Sequence, residues 1–190
     1  MSAAEPTTNW EHGQNRRNAE AFGFEDRIQD YQAWLNGVRG SANELIVLGI
    51  LLPFYPESML SAVANSSHDM SIRLPVADDP VVRVQIKTAH DRVVFTGGSR
   101  AGRERLTLTK EKVYPYTSDK ADVVIGIDEL SEIGRYDLYF VPTRVIDRVV
   151  QLSISNGKIA FTKNKLEIIS RCKDPAYVEW YLTQINVPLR

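Results

Sequence analysis

Cysteine is almost missing from this chain: Cys172 is the only one among 190 residues. A lone thiol cannot close an internal disulfide, and a Cys-rich zinc site is excluded with it. Histidine is scarce too, and His12, His68 and His90 have no metal-ligand spacing, so polar surface is the expected role. Charge of one sign is lacking: 23 Lys and Arg stand against 24 Asp and Glu, a net charge of −1. Nothing global therefore advertises a polyanion partner, and a nucleic-acid role would need a local basic patch. Long hydrophobic runs are absent. The longest, residues 45–52, falls far short of the roughly 20 residues that span a bilayer. The first residues are acidic and polar with no apolar stretch, so no secretory signal is expected. What remains is a chain of ordinary globular composition, 43% hydrophobic and 25% charged. It is long enough for one domain with a real core, and a reducing, cytoplasmic setting fits it.

The apolar spacing predicts a helix over residues 18–38, carrying Phe22, Ile28, Tyr31, Trp34, Leu35 and Val38. Gly37 and Gly40 are expected to break it. Ser41 then offers an N-cap and Glu44 the return half of a capping box for a second helix over residues 42–52. Alternation predicts strands over residues 68–74, 83–87, 121–127 and 136–141, with shorter extended pieces at 93–96, 106–108 and 150–155. Residues 75–80, with Asp78 and Asp79 between two prolines, read as a turn. Residues 109–116 have an ambiguous pattern in which a short helix capped by Thr109 is one reading, and residues 142–149 suggest another. Asn156-Gly157 signals a tight hairpin into residues 158–161. Residues 175–185 form a closing helix with Tyr177, Trp180 and Tyr181. The expected organisation is an N-terminal tail and helix (1–37), a core (38–150), and a C-terminal hairpin and helix packed on that core (151–190).

The strand over residues 83–87 carries the strongest functional signal. Val82, Val84 and Ile86 point one way; Arg83, Gln85 and Lys87 point the other. With residue 78 at the turn centre, Asp69 opposes Lys87, Ser71 opposes Gln85 and Arg73 opposes Arg83. That register buries Met70, Ile72 and Leu74 with the valines and puts Asp69, Gln85 and Lys87 on one face. Each of these has a plain alternative: Glu44 as a capping residue, Asp69 as a solvated strand residue, Gln85 and Lys87 as the wet face of an edge strand. The chemistry nonetheless suits a Mg²⁺ site, since Mg²⁺ prefers oxygen ligands from one or two carboxylates, waters and a substrate phosphate. Asp69 and Glu44 supply carboxylates, Gln85 a neutral carbonyl, and Lys87 a cation beside the reacting phosphate.

Glu44, the run Ser67-His68-Asp69-Met70-Ser71-Ile72 and the run Val84-Gln85-Ile86-Lys87-Thr88-Ala89 together resemble the PD-(D/E)XK nuclease superfamily. The similarity is to the branch with Gln before the lysine, which holds small bacterial endonucleases and a cyanobacterial group I intron homing endonuclease. It covers residues 40–146. It departs from the usual pattern in having His68 rather than proline before Asp69, and Met70 after it. The resemblance implies an α/β fold with a restriction-endonuclease-like core, a mixed central sheet flanked by helices, here with an N-terminal helical extension. It implies a Mg²⁺-dependent DNA endonuclease, Mn²⁺ substituting, in a restriction, homing or mobile-element role. Glu44, Asp69 and Gln85 would then bind metal, with Lys87 catalytic, and a homodimer or higher oligomer would cut both strands.

A basic stretch (Arg92, Arg100, Arg103, Arg105, Lys110 and Lys112, interleaved with glycines) reads either as a solvated face or as a phosphate-contacting loop for DNA, with Arg144 and Arg148 able to add to it. Two other functions fit the same residues. One is a structure-selective nuclease or junction resolvase; the other is a non-catalytic binding module for nucleic acid or protein on a nuclease scaffold, which the neutral Gln85 keeps open.

Overall fold

The computed structural model describes residues 20–23, 28–62, 66–75, 80–98, 113–130, 132 and 134–190. The chain divides into two units, Met1–Ala42 and Asn43–Arg190. In the first, Phe22, Tyr31 and Trp34 form an aromatic trio with ring centroids 5.2–6.5 Å apart.

Helix α1 (Ile28–Leu51) is continuous through Gly37 and Gly40. The expected break is therefore absent, and Ser41 lies inside the helix rather than at its cap. A helical glycine costs only about 1 kcal/mol against alanine, and it ends a helix chiefly when it adopts positive φ. Neither Gly37 nor Gly40 does so. The capping role for Glu44 falls with the break.

The second unit is built on a mixed five-stranded sheet in the order β1-β2-β3-β7-β8. Its strands are β1 (Met59–Leu60), β2 (Met70–Arg73), β3 (Val81–Thr88), β7 (Val123–Glu129) and β8 (Tyr136–Pro142). Only the β3–β7 pair is parallel. β4 (Arg92–Val94) pairs with β9 (Ser153–Ser155), and β5 (Thr96–Gly98) with β6 (Val113–Pro115). The helices α2 (Thr143–Ile146), α3 (Ile168–Arg171) and α4 (Pro175–Ile185) complete it. This is the expected α/β class, a mixed sheet flanked by helices.

β7 is buried along most of its length, as a near-continuous apolar strand should be. α4 is capped by Asp174, which accepts the Ala176 N–H at 2.9 Å, and has Pro175 in its first turn. It buries Tyr177, Val178, Tyr181, Leu182 and Ile185, and the Tyr181 hydroxyl donates to Phe140 O at 3.0 Å.

Two local expectations are corrected. Residues 156–162 form a 3₁₀ turn, not a hairpin. An Asn-Gly hairpin turn needs positive φ at both residues, and Asn156 does not have it. Its side chain is instead buried, donating from Nδ2 to Ala89 O at 3.0 Å. The segment that follows covers the β8 edge: Asn164 Oδ1 accepts from Leu138 N–H and Thr162 Oγ1 from Phe140 N–H. Residues 113–115 are a strand and not the short helix that the sequence allows. Tyr114 precedes Pro115, and a residue before proline is pushed out of the helical region. The expected extended piece at 106–108 lies outside the described residues.

Candidate active site

On β3 the side chains of Val82, Val84 and Ile86 are buried on one face, and Arg83, Gln85 and Lys87 lie on the other. Pairing carries that second face across to β7, where Gln85 stands beside Val124 and Lys87 beside Gly126. Gly126 keeps the neighbouring layer close. A Cβ there would lie 2.5 Å from Val93 Cγ2 and 2.9 Å from Ala89 Cβ.

The β2–β3 register differs from the expected one by two residues. Met70 pairs with Val84, Ser71 with Arg83 and Ile72 with Val82. The turn is thus centred on residue 77 rather than 78, closed by Leu74 N–H donating to Pro80 O at 2.7 Å. A period-two pattern fixes which face each side chain takes, but every even slip satisfies it equally. The partition of faces therefore holds while the partners change. The register ends at Met70–Val84, and Asp69 N–H also donates to Val84 O at 2.9 Å, so Asp69 lies against the Val84–Gln85 stretch and not opposite Lys87.

That shift gives Asp69 specific partners. Its Oδ2 accepts the Ile86 backbone N–H at 2.8 Å and a hydrogen bond from Gln85 Nε2. The carboxylate thus fills a ladder position beyond the end of β2. Gln85, only 7% exposed, is held beside it. Lys87 follows two residues on, half-buried, with Nζ 5.1 Å from the Tyr116 ring centroid. Tyr116 carries no functional signal in the sequence. Its N–H donates to Phe95 O at 2.7 Å, which seats the residue just after β6.

Glu44 is half-buried on α1. The preceding Asn43 donates from Nδ2 to Thr88 Oγ1 at 2.9 Å, tying that turn of the helix to the residue after Lys87. Glu44 is the next residue of the helix, so its backbone lies close to the contact that Asn43 makes with Thr88. Asn43 carried no sequence signal beyond its place next to Glu44.

The polar groups shown together at this corner are the Asp69 carboxylate, the Gln85 amide and, two residues along the same face, the Lys87 ammonium. Oxygen donors of this kind are the type that hard divalent cations such as Mg²⁺ prefer, in contrast to thiolate-seeking metals. Among the described residues, no three His, Cys, Asp or Glu side chains group to hold a metal.

Of the expected nucleic-acid contacts, Arg92 is exposed at the start of β4, with Nε 3.2 Å from Asp91 Oδ2. Arg100, Arg103, Arg105, Lys110 and Lys112 lie outside the described residues, as do Asp78, Asp79 and His12. His68 is hydrogen-bonded within a serine cluster, its Nε2 3.1 Å from Ser71 Oγ. Cys172 is buried, and desolvation pushes its thiol up to about 12, so it is no nucleophile.

No family model and no curated protein matches the chain. A solved structure described as a bacterial homing endonuclease, I-Ssp6803I, aligns over 63% of this chain and 76% of that one, with a TM-score of 0.47 and 15% identity. So partial an overlap fixes neither a site nor an activity.

Proposed function

We propose that this chain is a PD-(D/E)XK-type nuclease that hydrolyses DNA phosphodiesters with Mg²⁺, or Mn²⁺ in its place. The observation that carries the reading is the Asp69 carboxylate anchored on Gln85 and on the backbone of β3, with Lys87 next along the same face. An acid held by a strand N–H is preorganised, so little reorientation is needed when substrate arrives.

Asp69, Glu44 and the Gln85 carbonyl would hold the cation. When bound, it would supply a Lewis acid for the phosphate oxygens and lower the pKa of the attacking water. Asp69 keeps its carboxylate in one orientation through the Ile86 N–H. Lys87 offers an ammonium that neutralises charge developing on phosphorus or orients the water. The Tyr116 ring, its centroid 5.1 Å from Nζ, limits where the ammonium can go. Cutting both strands of a duplex calls for two such sites, hence a homodimer or higher oligomer. A restriction, homing or mobile-element role follows the branch that the Gln85-x-Lys87 run resembles.

One observation favours the rival, a non-catalytic binding module. Gln85 Nε2 and the Ile86 N–H already give the half-buried Asp69 oxygen neutral partners, so this carboxylate is hydrogen-bonded without a cation. Incubation of the purified protein with supercoiled plasmid and with branched DNA, in Mg²⁺ and in EDTA, separates the readings. Nicking or linearisation only with metal supports the nuclease, and preference for the branched substrate its resolvase form. Binding with no cleavage in any metal would reject both in favour of the module.

A further inference from the structure

A second charged recess opens where β3 and β7 begin, lined by Val81, Arg83, Ser118, Asp122, Arg144 and Lys173, with a volume of about 400 Å³. None of these residues belongs to the corner formed by Asp69, Gln85 and Lys87.

Asp122 is consumed internally. Its Oδ2 accepts the Arg83 N–H at 2.8 Å and Nε at 3.1 Å, and its Oδ1 accepts Nη2 at 2.9 Å. Arg83 also donates to Ser118 O at 2.8 Å and to Asp119 O, so it clasps the 117–122 turn. Its guanidinium is thereby fixed in place at the wall of the recess. Lys173 Nζ donates to Val81 O at 2.6 Å and lies 3.7 Å from Asp122 Oδ2. Arg144 donates through Nη1 to Lys173 O at 2.7 Å, which holds a third cation beside the other two.

Three cations against one carboxylate leave the lining two positive charges in excess, and bringing like charges together is unfavourable unless an anion relieves it. The planar fork of an exposed arginine beside a lysine ammonium matches the tetrahedral oxygens of a phosphate. The Ser118 side chain adds a hydroxyl. The volume lies within the range of roughly 300–1,000 Å³ for small-molecule pockets and exceeds what a bare phosphate fills. We propose that this recess binds a phosphate group carried on an organic substituent, such as a nucleotide or a nucleic-acid backbone, with Arg144 and Lys173 as its contacts and Arg83 as the fixed charge behind them.

The test uses the full chain in EDTA, so it does not depend on cleavage. Inorganic phosphate and then a 5′-mononucleotide are titrated while backbone ¹⁵N–¹H NMR signals are followed, in wild type, Arg144→Gln and Lys173→Gln. Saturable shifts centred on Ser118, Arg144 and Lys173 are expected, with affinity weakened about tenfold or more in each variant. Duplex DNA binding is then measured against salt. A backbone phosphate as the source lowers the slope of log K on log salt by about 0.9 for each lost contact. A nucleotide as the source leaves that slope unchanged while nucleotide binding falls. Either outcome supports the phosphate site. Wild-type signals that do not move at these residues, or variants that melt like wild type and bind phosphate unweakened, would overturn it. The wild-type titration decides the matter even if a variant fails to fold.

Discussion

The carboxylate of Asp69 accepts the backbone N–H of Ile86 at 2.8 Å, so a proposed metal ligand is also a piece of the sheet. The same oxygen takes Gln85 Nε2, which makes Gln85 a neutral brace where a second acid could have stood. Charge at this corner is thus low for a divalent site, and changing it reports on what the corner holds.

Gln85→Glu places a second carboxylate against Asp69. Without divalent cation the pair repels, and the variant should melt below wild type. With Mg²⁺ the added charge should tighten binding, and stabilisation follows RT ln(1 + [L]/Kd), about 2.7 kcal/mol at a hundredfold excess over Kd. Thermal melts with and without Mg²⁺ should therefore show a larger rise in the variant than in wild type. An equal or smaller rise would mean that no cation sits between these residues.

The clasp between Arg83 and Asp122 should matter more for stability than for any chemistry at Lys87. Asp122 is 7% exposed and Arg83 31%. Breaking a buried pair by removing one partner typically costs 3–5 kcal/mol, and the partial exposure of Arg83 puts Asp122→Ala near about 3 kcal/mol. Urea unfolding checks this; a loss under about 1 kcal/mol would show that the clasp is not structural.

Gly126 sits beside Lys87 in the β3–β7 ladder and faces Val93 and Ala89. Gly126→Ala should overpack that contact and destabilise by about 1–3 kcal/mol. If cleavage occurs, its rate should fall as well, because the strand under Lys87 must shift. A variant as stable as wild type would indicate that β4 can move aside freely.

These predictions separate what the sequence could state from what it could not. Alternation along residues 70–74 and 82–87 assigned every side chain to its face, because that property is local and has period two. It does not distinguish registers two residues apart, so it cannot choose between Lys87 and the Val84–Gln85 stretch as the neighbour of Asp69. Gly37 and Gly40 suggest two helices where the chain forms one, since glycine weakens a helix without dictating its end. The Asn156-Gly157 signal failed because the Asn156 side chain found buried carbonyls. Asn43, Tyr116 and the Arg83–Asp122 clasp depend on contacts between segments far apart in sequence, which no periodicity encodes.

Cys172 offers a probe of opening and a pH test. It is 1% exposed, and burial pushes its thiol up to about 12 from an ordinary value of 9.0. The native state favours the neutral thiol, so its contribution to stability is complete below about pH 9 and is lost as pH rises towards about 12. Denaturant midpoints should fall across that window, less so in Cys172→Ala after allowing for its own loss of packing. Aromatic-disulfide labelling at pH 8 should be slow in the native protein and fast in urea. Rapid labelling without denaturant would contradict the burial.

The most direct test of the central claim is cleavage by the Lys87→Ala variant. Purified wild type and variant, matched for melting temperature, are incubated with supercoiled plasmid in Mg²⁺ and in EDTA. The account predicts metal-dependent cutting by wild type and a loss of at least about a hundredfold in the variant, the scale of one removed transition-state contact. Cutting by Lys87→Ala at the wild-type rate would contradict it.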